Sequence, residues 1–181
     1  MVCNVLSKNK VNISEVVSIL GELPPTKGLV PEHLQTIGGC ARTRRLAPGD
    51  YLWRQGEESA LVYLIQTGQL ALEIAVPGQG PFRIETVAEG EFLGCSNLLA
   101  SSRCQFDARA LTAVSCLEID SGLLFQLLEQ DPKLGYELFK RIAPMMAHKL
   151  ESARLRLLDV HGLGRLRAAE RNSRISPRDG K

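Results

Sequence analysis

No stretch of this 181-residue chain approaches the roughly 20 consecutive apolar residues that cross a bilayer, so no membrane association is expected. The N-terminus, Met1 to Leu20, mixes Asn, Ser, Lys and Glu with its apolar residues and lacks the unbroken core of a secretion signal, which makes a cytoplasmic location the expectation. The cysteines, Cys3, Cys40, Cys95, Cys104 and Cys116, are odd in number and widely spaced, with no Cys-x-x-Cys pair. That argues against both a disulfide framework and a zinc site. There is no His-Glu-x-x-His, no Gly-x-Ser-x-Gly and no phosphate loop ending in Gly-Lys-Ser or Gly-Lys-Thr, so no catalytic residue is assigned and enzyme activity is not expected. A formal net charge of +2 gives no global case for nucleic acid either.

What is present begins with two short helical patterns. Asn12 to Leu20 places Ile13, Val16, Val17 and Leu20 on one face, with Gly21 expected to close the helix. Pro24-Pro25 breaks it. Pro31 to Ile37 opens with proline in a first turn and stops at Gly38-Gly39.

From Cys40 to Ile119 the period changes to two and turn residues recur at short intervals, the pattern of an all-β sandwich or barrel. Leu70, Leu72, Ile74 and Val76 fall on one face of a strand, with Ala71, Glu73 and Ala75 on the other. Residues 77–81 make a hairpin loop and Phe82 to Ala88 the return strand. Phe106, Ala108 and Ala110 then alternate with Gln105, Asp107 and Arg109, the last two expected to be solvated strand residues, with pairing to the C-terminal helix as the alternative.

After Asp120 the pattern is helical again. Ser121 is placed as the cap of a helix through Glu129, and Asp131 as the cap of a second beginning at Pro132. From Tyr136 to Val160 no glycine intervenes. Leu138, Met145, Ala153 and Val160, with Ile142, Met146, Leu150 and Leu157, approximate a two-per-heptad seam suited to another helix. Pro144 predicts a kink or a junction in the turn before it. The remainder, 162–181, carries Arg165, Arg167, Arg171, Arg174, Arg178 and Lys181 against Glu170 and Asp179, and is expected to be a solvated basic tail, with contact to nucleic acid or an acidic partner as the alternative to a mere aid to solubility.

Within the β region lie Leu46-Ala47-Pro48-Gly49-Asp50, Gln55-Gly56-Glu57 and Tyr63-Leu64-Ile65-Gln66-Thr67-Gly68. This glycine spacing, with the Gly94 to Ala110 loop crossing, resembles the cyclic nucleotide-binding domain of the catabolite activator and protein kinase A regulatory families, over roughly Leu29 to Val160. The resemblance implies a mainly β fold with flanking helices: a jelly-roll barrel followed by a long C-terminal helix. It divides the chain into an N-terminal helical segment (1–28), the binding-like domain (29–130), a long dimerisation helix (131–161) and the basic tail (162–181).

The resemblance also implies where a ligand belongs. In the family a Gly-Glu pair holds the phosphate and ribose, and an Arg further on neutralises the cyclic phosphate. Here Phe92-Leu93-Gly94 matches the lead-in, but Cys95 stands at the acidic position. The Arg position, counted back from Ala110, falls on Cys104, with Arg103 immediately before it. Strand parity turns Arg103 outward with Arg109, whereas a one-residue adjustment in the loop would swing it into the pocket. Ser96, Asn97 and Gln105 could supply neutral hydrogen bonds to a ligand or serve as local caps. Cys95 and Cys104 flank the same loop and would form a redox pair only if one were deprotonated; inert thiols are the competing reading.

The altered site set of Gly94, Cys95, Ser96, Asn97, Arg103, Cys104 and Gln105 therefore predicts weak or absent cyclic AMP binding. A cyclic nucleotide or another small anion stays open as ligand, with no metal and no certain cofactor. His33, His148 and His161 are scattered, and no N-terminal cysteine cluster is present, so neither haem nor an iron–sulfur centre is expected. In the family's transcription factors the long helix leads into a DNA-reading module of about 60 residues, which the tail has no room for, so DNA binding is not expected. The expectation is a stand-alone regulatory or sensor module acting through a homodimer or a protein partner. The alternatives are a ligand-independent dimeric scaffold, and a true cyclic nucleotide binder using Arg103.

Overall fold

A computed structural model describes the chain over residues 12–94, 97 and 102–160. Among the described residues two helices lead, α1 (Ile13–Glu22) and α2 (Pro31–Gly38), followed by ten strands and two closing helices. The strands are β1 (Ala41–Leu46), β2 (Tyr51–Trp53), β3 (Glu58–Ser59), β4 (Leu61–Thr67), β5 (Leu70–Val76), β6 (Gly80–Val87), β7 (Phe92–Leu93), β8 (Ser102–Arg103), β9 (Asp107–Ala110) and β10 (Val114–Asp120). The last helices are α3 (Ser121–Gln130) and α4 (Pro132–Val160). One sheet runs β1-β10-β4-β7, the other β2-β9-β5-β6, and β3 pairs with β8. Every pairing is antiparallel. This is the mainly β jelly roll with flanking helices and a long final helix that the alternation and the resemblance predict.

The core lies between the sheets. The first contributes Leu46, Tyr63, Ile65, Val114 and Cys116, the second Leu52, Leu70, Leu72, Ala108 and Ala110. Strand alternation puts these residues on facing surfaces, and their burial drives closure of the roll. One corner admits only glycine: Gly68 has φ +88°, and a Cβ there would lie 2.2 Å from the Ala113 carbonyl oxygen.

Three local expectations are corrected. Gly21 does not close α1, which continues to Glu22. A Cβ at Gly21 would sit 3.8 Å from Leu34 Cδ1, so this position faces α2. The cap of α3 is Asp120, whose Oδ1 accepts from Leu123 N at 2.9 Å, while Ser121 donates its hydroxyl to the Ala60 carbonyl. And β5 does not have one core side at its start: Leu70, Ala71, Leu72 and Glu73 are all buried. Asp131 does cap α4, its Oδ1 accepting from Lys133 N and Leu134 N, both at 3.1 Å.

The described residues divide into two compact units, with the boundary between Phe139 and Lys140. Helix α4 contains Pro144 in its interior. Its exposed apolar residues include Met146, Leu150 and Leu157. Among the described residues, no helix is long and apolar enough to cross a membrane. The basic tail, Cys3 and His161 lie outside the described residues.

Candidate ligand site at the crossing between β7 and β8

The crossing is anchored where β7 adds to the edge of β4, with Leu93 opposite Tyr63 and Phe92 opposite Leu64. Gly94 follows with φ +76°, and any Cβ there would stand 2.6 Å from the Leu61 carbonyl oxygen. The backbone can pass this close only as glycine. Asn97, predicted as a ligand contact or a cap, is buried and donates its Nδ2 to that same Leu61 carbonyl at 3.0 Å. It ties the crossing to β4. Cys95 and Ser96 lie outside the described residues.

Beyond the crossing, β8 pairs with β3 so that Arg103 lies opposite Glu58. The Arg103 guanidinium donates from Nη2 to Glu58 Oε1 at 2.8 Å and from Nη1 to the Gly56 carbonyl at 3.2 Å. Both Arg103 and Glu58 are exposed. Gln105 is exposed as well and donates to the Arg103 carbonyl at 3.1 Å. The backbone of Cys104 closes a narrow ladder with the preceding turn, Cys104 N to Glu57 O and Gly56 N to Cys104 O, each 2.8 Å. Burial, reinforced by the Glu57 carboxylate, pushes the Cys104 thiol above the ordinary thiol range. It is therefore protonated at neutral pH, which weakens its case as a redox nucleophile.

Aromatic groups that the residue patterns did not single out for this site stand beside it. Trp53 of β2 and Tyr63 of β4 meet from opposite sheets, ring centroids 5.1 Å apart and planes tilted by 42°. Trp53 Nε1 donates to the Phe106 carbonyl at 2.8 Å, and the Trp53 and Phe106 side chains pack on the core cluster. Burial and the nearby Glu118 push the Tyr63 phenol up to about 12, so it stays neutral. The signal for Trp53 was its place two residues before Gln55-Gly56-Glu57, on a strand whose neighbour could be known only once β9 was paired.

Asp107 and Arg109 are not the solvated strand residues expected. Asp107 accepts from Gln55 N at 2.7 Å and from Arg54 at 3.3 Å. Arg109 donates two bonds to Glu73, of 2.8 and 2.7 Å, across the β5–β9 ladder. These networks hold β2, β5 and β9 in register on the face opposite Leu72 and Ala108. Among the described residues no group of His, Cys, Asp and Glu could hold a metal ion.

The family model for the cyclic nucleotide-binding domain matches residues 43–131. Solved structures agree in fold. A cyclic nucleotide-binding domain from Methylobacillus flagellatus KT superposes with a TM-score of 0.68 at 18% identity, over 81% of this chain and 83% of that one. A cyclic nucleotide-binding-like protein from Brucella abortus gives a TM-score of 0.54 at 26% identity, over 64% of this chain and 98% of that one. The catabolite activator protein of Thermus thermophilus gives 0.60 at 22% identity, over 76% of this chain and 63% of that one. No curated protein matches the chain at a significant level.

Proposed function

Starting from the premise that residues 43–131 are a domain of the cyclic nucleotide-binding family, we propose that the protein is a regulatory module whose ligand site has lost the family's usual anion chemistry and whose output passes through helix α4 in a homodimer. The observation that carries this reading is the engagement of Arg103. Its guanidinium is held by Glu58 at 2.8 Å and by the Gly56 carbonyl at 3.2 Å. A cyclic phosphate would have to draw this exposed guanidinium away from the surface of β8, where Glu58 holds it at a cost of at most about 1 kcal/mol. In the sequence, Cys95 stands at the position where relatives use an acid for the ribose. A charged hydrogen bond contributes about 1.5 to 3 kcal/mol, so loss of the ribose contact alone weakens binding about tenfold to a hundredfold.

Titration calorimetry with cyclic AMP tests the reading: no micromolar heat signature is expected, and a micromolar or tighter constant overturns it. A thermal-shift panel of cyclic mononucleotides, cyclic dinucleotides, nucleotides and small carboxylates then identifies any replacement ligand, because a ligand that binds only the folded form raises the melting temperature. A flat response across the panel favours the second reading, a ligand-independent dimeric scaffold. The Trp53–Tyr63 contact between the sheets supports that alternative, since the protein's own rings occupy interior space there.

The homodimer rests on α4. Met146, Leu150 and Leu157 are exposed, Leu150 by 54%, and they recur at four- and seven-residue spacing on one helix. Leu138 and Ile142 of the expected seam are already buried, so it is this later part that a second copy would cover. Leu150→Glu should convert a dimer to a monomer in light scattering; a wild-type chain that is already monomeric at high concentration removes the dimer from the mechanism.

A further inference from the structure

Edge strand β1 presents Arg42, Arg44 and Leu46 on one face, and their cross-strand neighbours on β10 are Glu118, Cys116 and Val114. Leu46, Cys116 and Val114 belong to the core. At the Glu118 end of the same face the core gives way to charge. Glu118 is 2% exposed, and its two oxygens are divided between two arginines: Arg42 Nε donates to Oε2 at 2.6 Å and Arg44 Nη1 to Oε1 at 2.9 Å.

The other buried acid in a β ladder behaves differently. Glu73 is matched by one guanidinium through both oxygens, and the pair is neutral. At Glu118 two guanidiniums meet one carboxylate, which leaves one positive charge in excess. Arg42 and Arg44 are 48% and 39% exposed, so that charge faces solvent. Each guanidinium carries five N–H donors and spends one on Glu118, which leaves most of each donor set available. Two like charges two residues apart on one strand repel, and the buried carboxylate between them offsets that repulsion. Their side chains are thus ordered before any ligand arrives, which removes part of the entropy cost of binding. The nearby Tyr63 phenol is neutral and adds no competing charge.

We propose that Arg42 and Arg44, pinned by Glu118, form a clip for a single phosphate-type oxyanion, taken either as the free ion or as a monoester. A tetrahedral oxyanion offers separate oxygens to two guanidinium forks, and its negative charge answers the excess positive one. The clip uses none of the residues of the β7–β8 crossing.

The test follows the arginine Nε–Hε resonances of the full chain during titration with inorganic phosphate and, separately, with O-phosphoserine, using chloride at matched ionic strength as the control. Saturable shifts of Arg42 and Arg44 are expected at about millimolar concentration, with Arg54 and Arg109 unmoved. Arg44→Gln should weaken them roughly tenfold or more. Arg44→Lys keeps the charge beside Glu118 but not the fork; it should bind several-fold more weakly and reads the outcome if the glutamine variant fails to fold. Tighter binding of O-phosphoserine assigns the clip to a phosphate monoester, and equal binding assigns it to the free ion. Shifts that merely follow chloride, or that persist unchanged in both Arg44 variants, overturn the proposal.

Discussion

The Glu73–Arg109 pair offers a test of how this roll tolerates buried charge. Glu73 has 4% of its side chain exposed and Arg109 28%, with hydrogen bonds of 2.8 and 2.7 Å joining them. Arg109→Met would leave a buried carboxylate with its partner gone, which costs about 3 to 5 kcal/mol in comparable sites. Against a typical domain stability of about 5 to 15 kcal/mol this is a large fraction, and at this chain length it lowers the melting temperature by about 10 °C. The pH dependence carries a sign. Arg109 holds the Glu73 carboxyl below the ordinary carboxylate range. The pair's contribution is therefore complete above the unfolded carboxylate's titration and is lost as pH falls through the lower folded value. In the variant that contribution is already absent, so the gap between wild type and variant should narrow on acidification. The double variant E73L/R109M, which replaces the pair by apolar groups, should recover most of the loss. Urea denaturation of the three proteins at about pH 7 and about pH 4 measures all of this. A loss below about 1 kcal/mol, or a gap that does not change with pH, would refute the argument.

Other consequences are simpler. Gly68→Ala forces a side chain into a positive-φ corner and against the Ala113 carbonyl, and should cost at least about 2 kcal/mol by thermal denaturation. Burial, with help from Glu118, pushes the Cys116 thiol up to about 12, so mass spectrometry after brief alkylation should find it unmodified in the folded chain and labelled after denaturation. Backbone N–H groups at the start of α4, Leu134 N foremost, together with His33, hold the Asp131 carboxyl below its ordinary range. Stability should therefore fall as pH drops through that lowered value, and Asp131→Ala should flatten this part of the melting-temperature profile.

Much of the fold was legible because burial writes a period into the chain. The alternation at Phe106, Ala108 and Ala110 and the turn chemistry around Pro77 to Pro81 predicted strands and a hairpin that the roll contains. The cap at Asp131 was equally plain, since a carboxylate before Pro132 has few other local uses. The local errors have a common origin. Gly21 and Ser121 carry strong intrinsic preferences, but α2 packed beside one and the Ala60 carbonyl beside the other decide their roles. Those neighbours are distant in sequence.

The candidate site was less legible for a deeper reason. Periodicity assigns a residue to a face, yet it cannot name what waits on the strand across the ladder. Arg109 and Arg103 share parity and both looked like surface cations, but one closes on buried Glu73 while the other meets exposed Glu58. The difference is desolvation: at Glu73 the arginine is required to keep a carboxylate buried, whereas at Glu58 water can replace it at little cost. By that argument Glu58→Gln should leave stability nearly unchanged while removing the ionic partner of Arg103, which keeps its bond to the Gly56 carbonyl, and the same cyclic AMP titration then tests the ion pair. Binding that emerges in Glu58→Gln would locate the block in the ion pair; binding that stays absent would take the ion pair out of the proposed explanation.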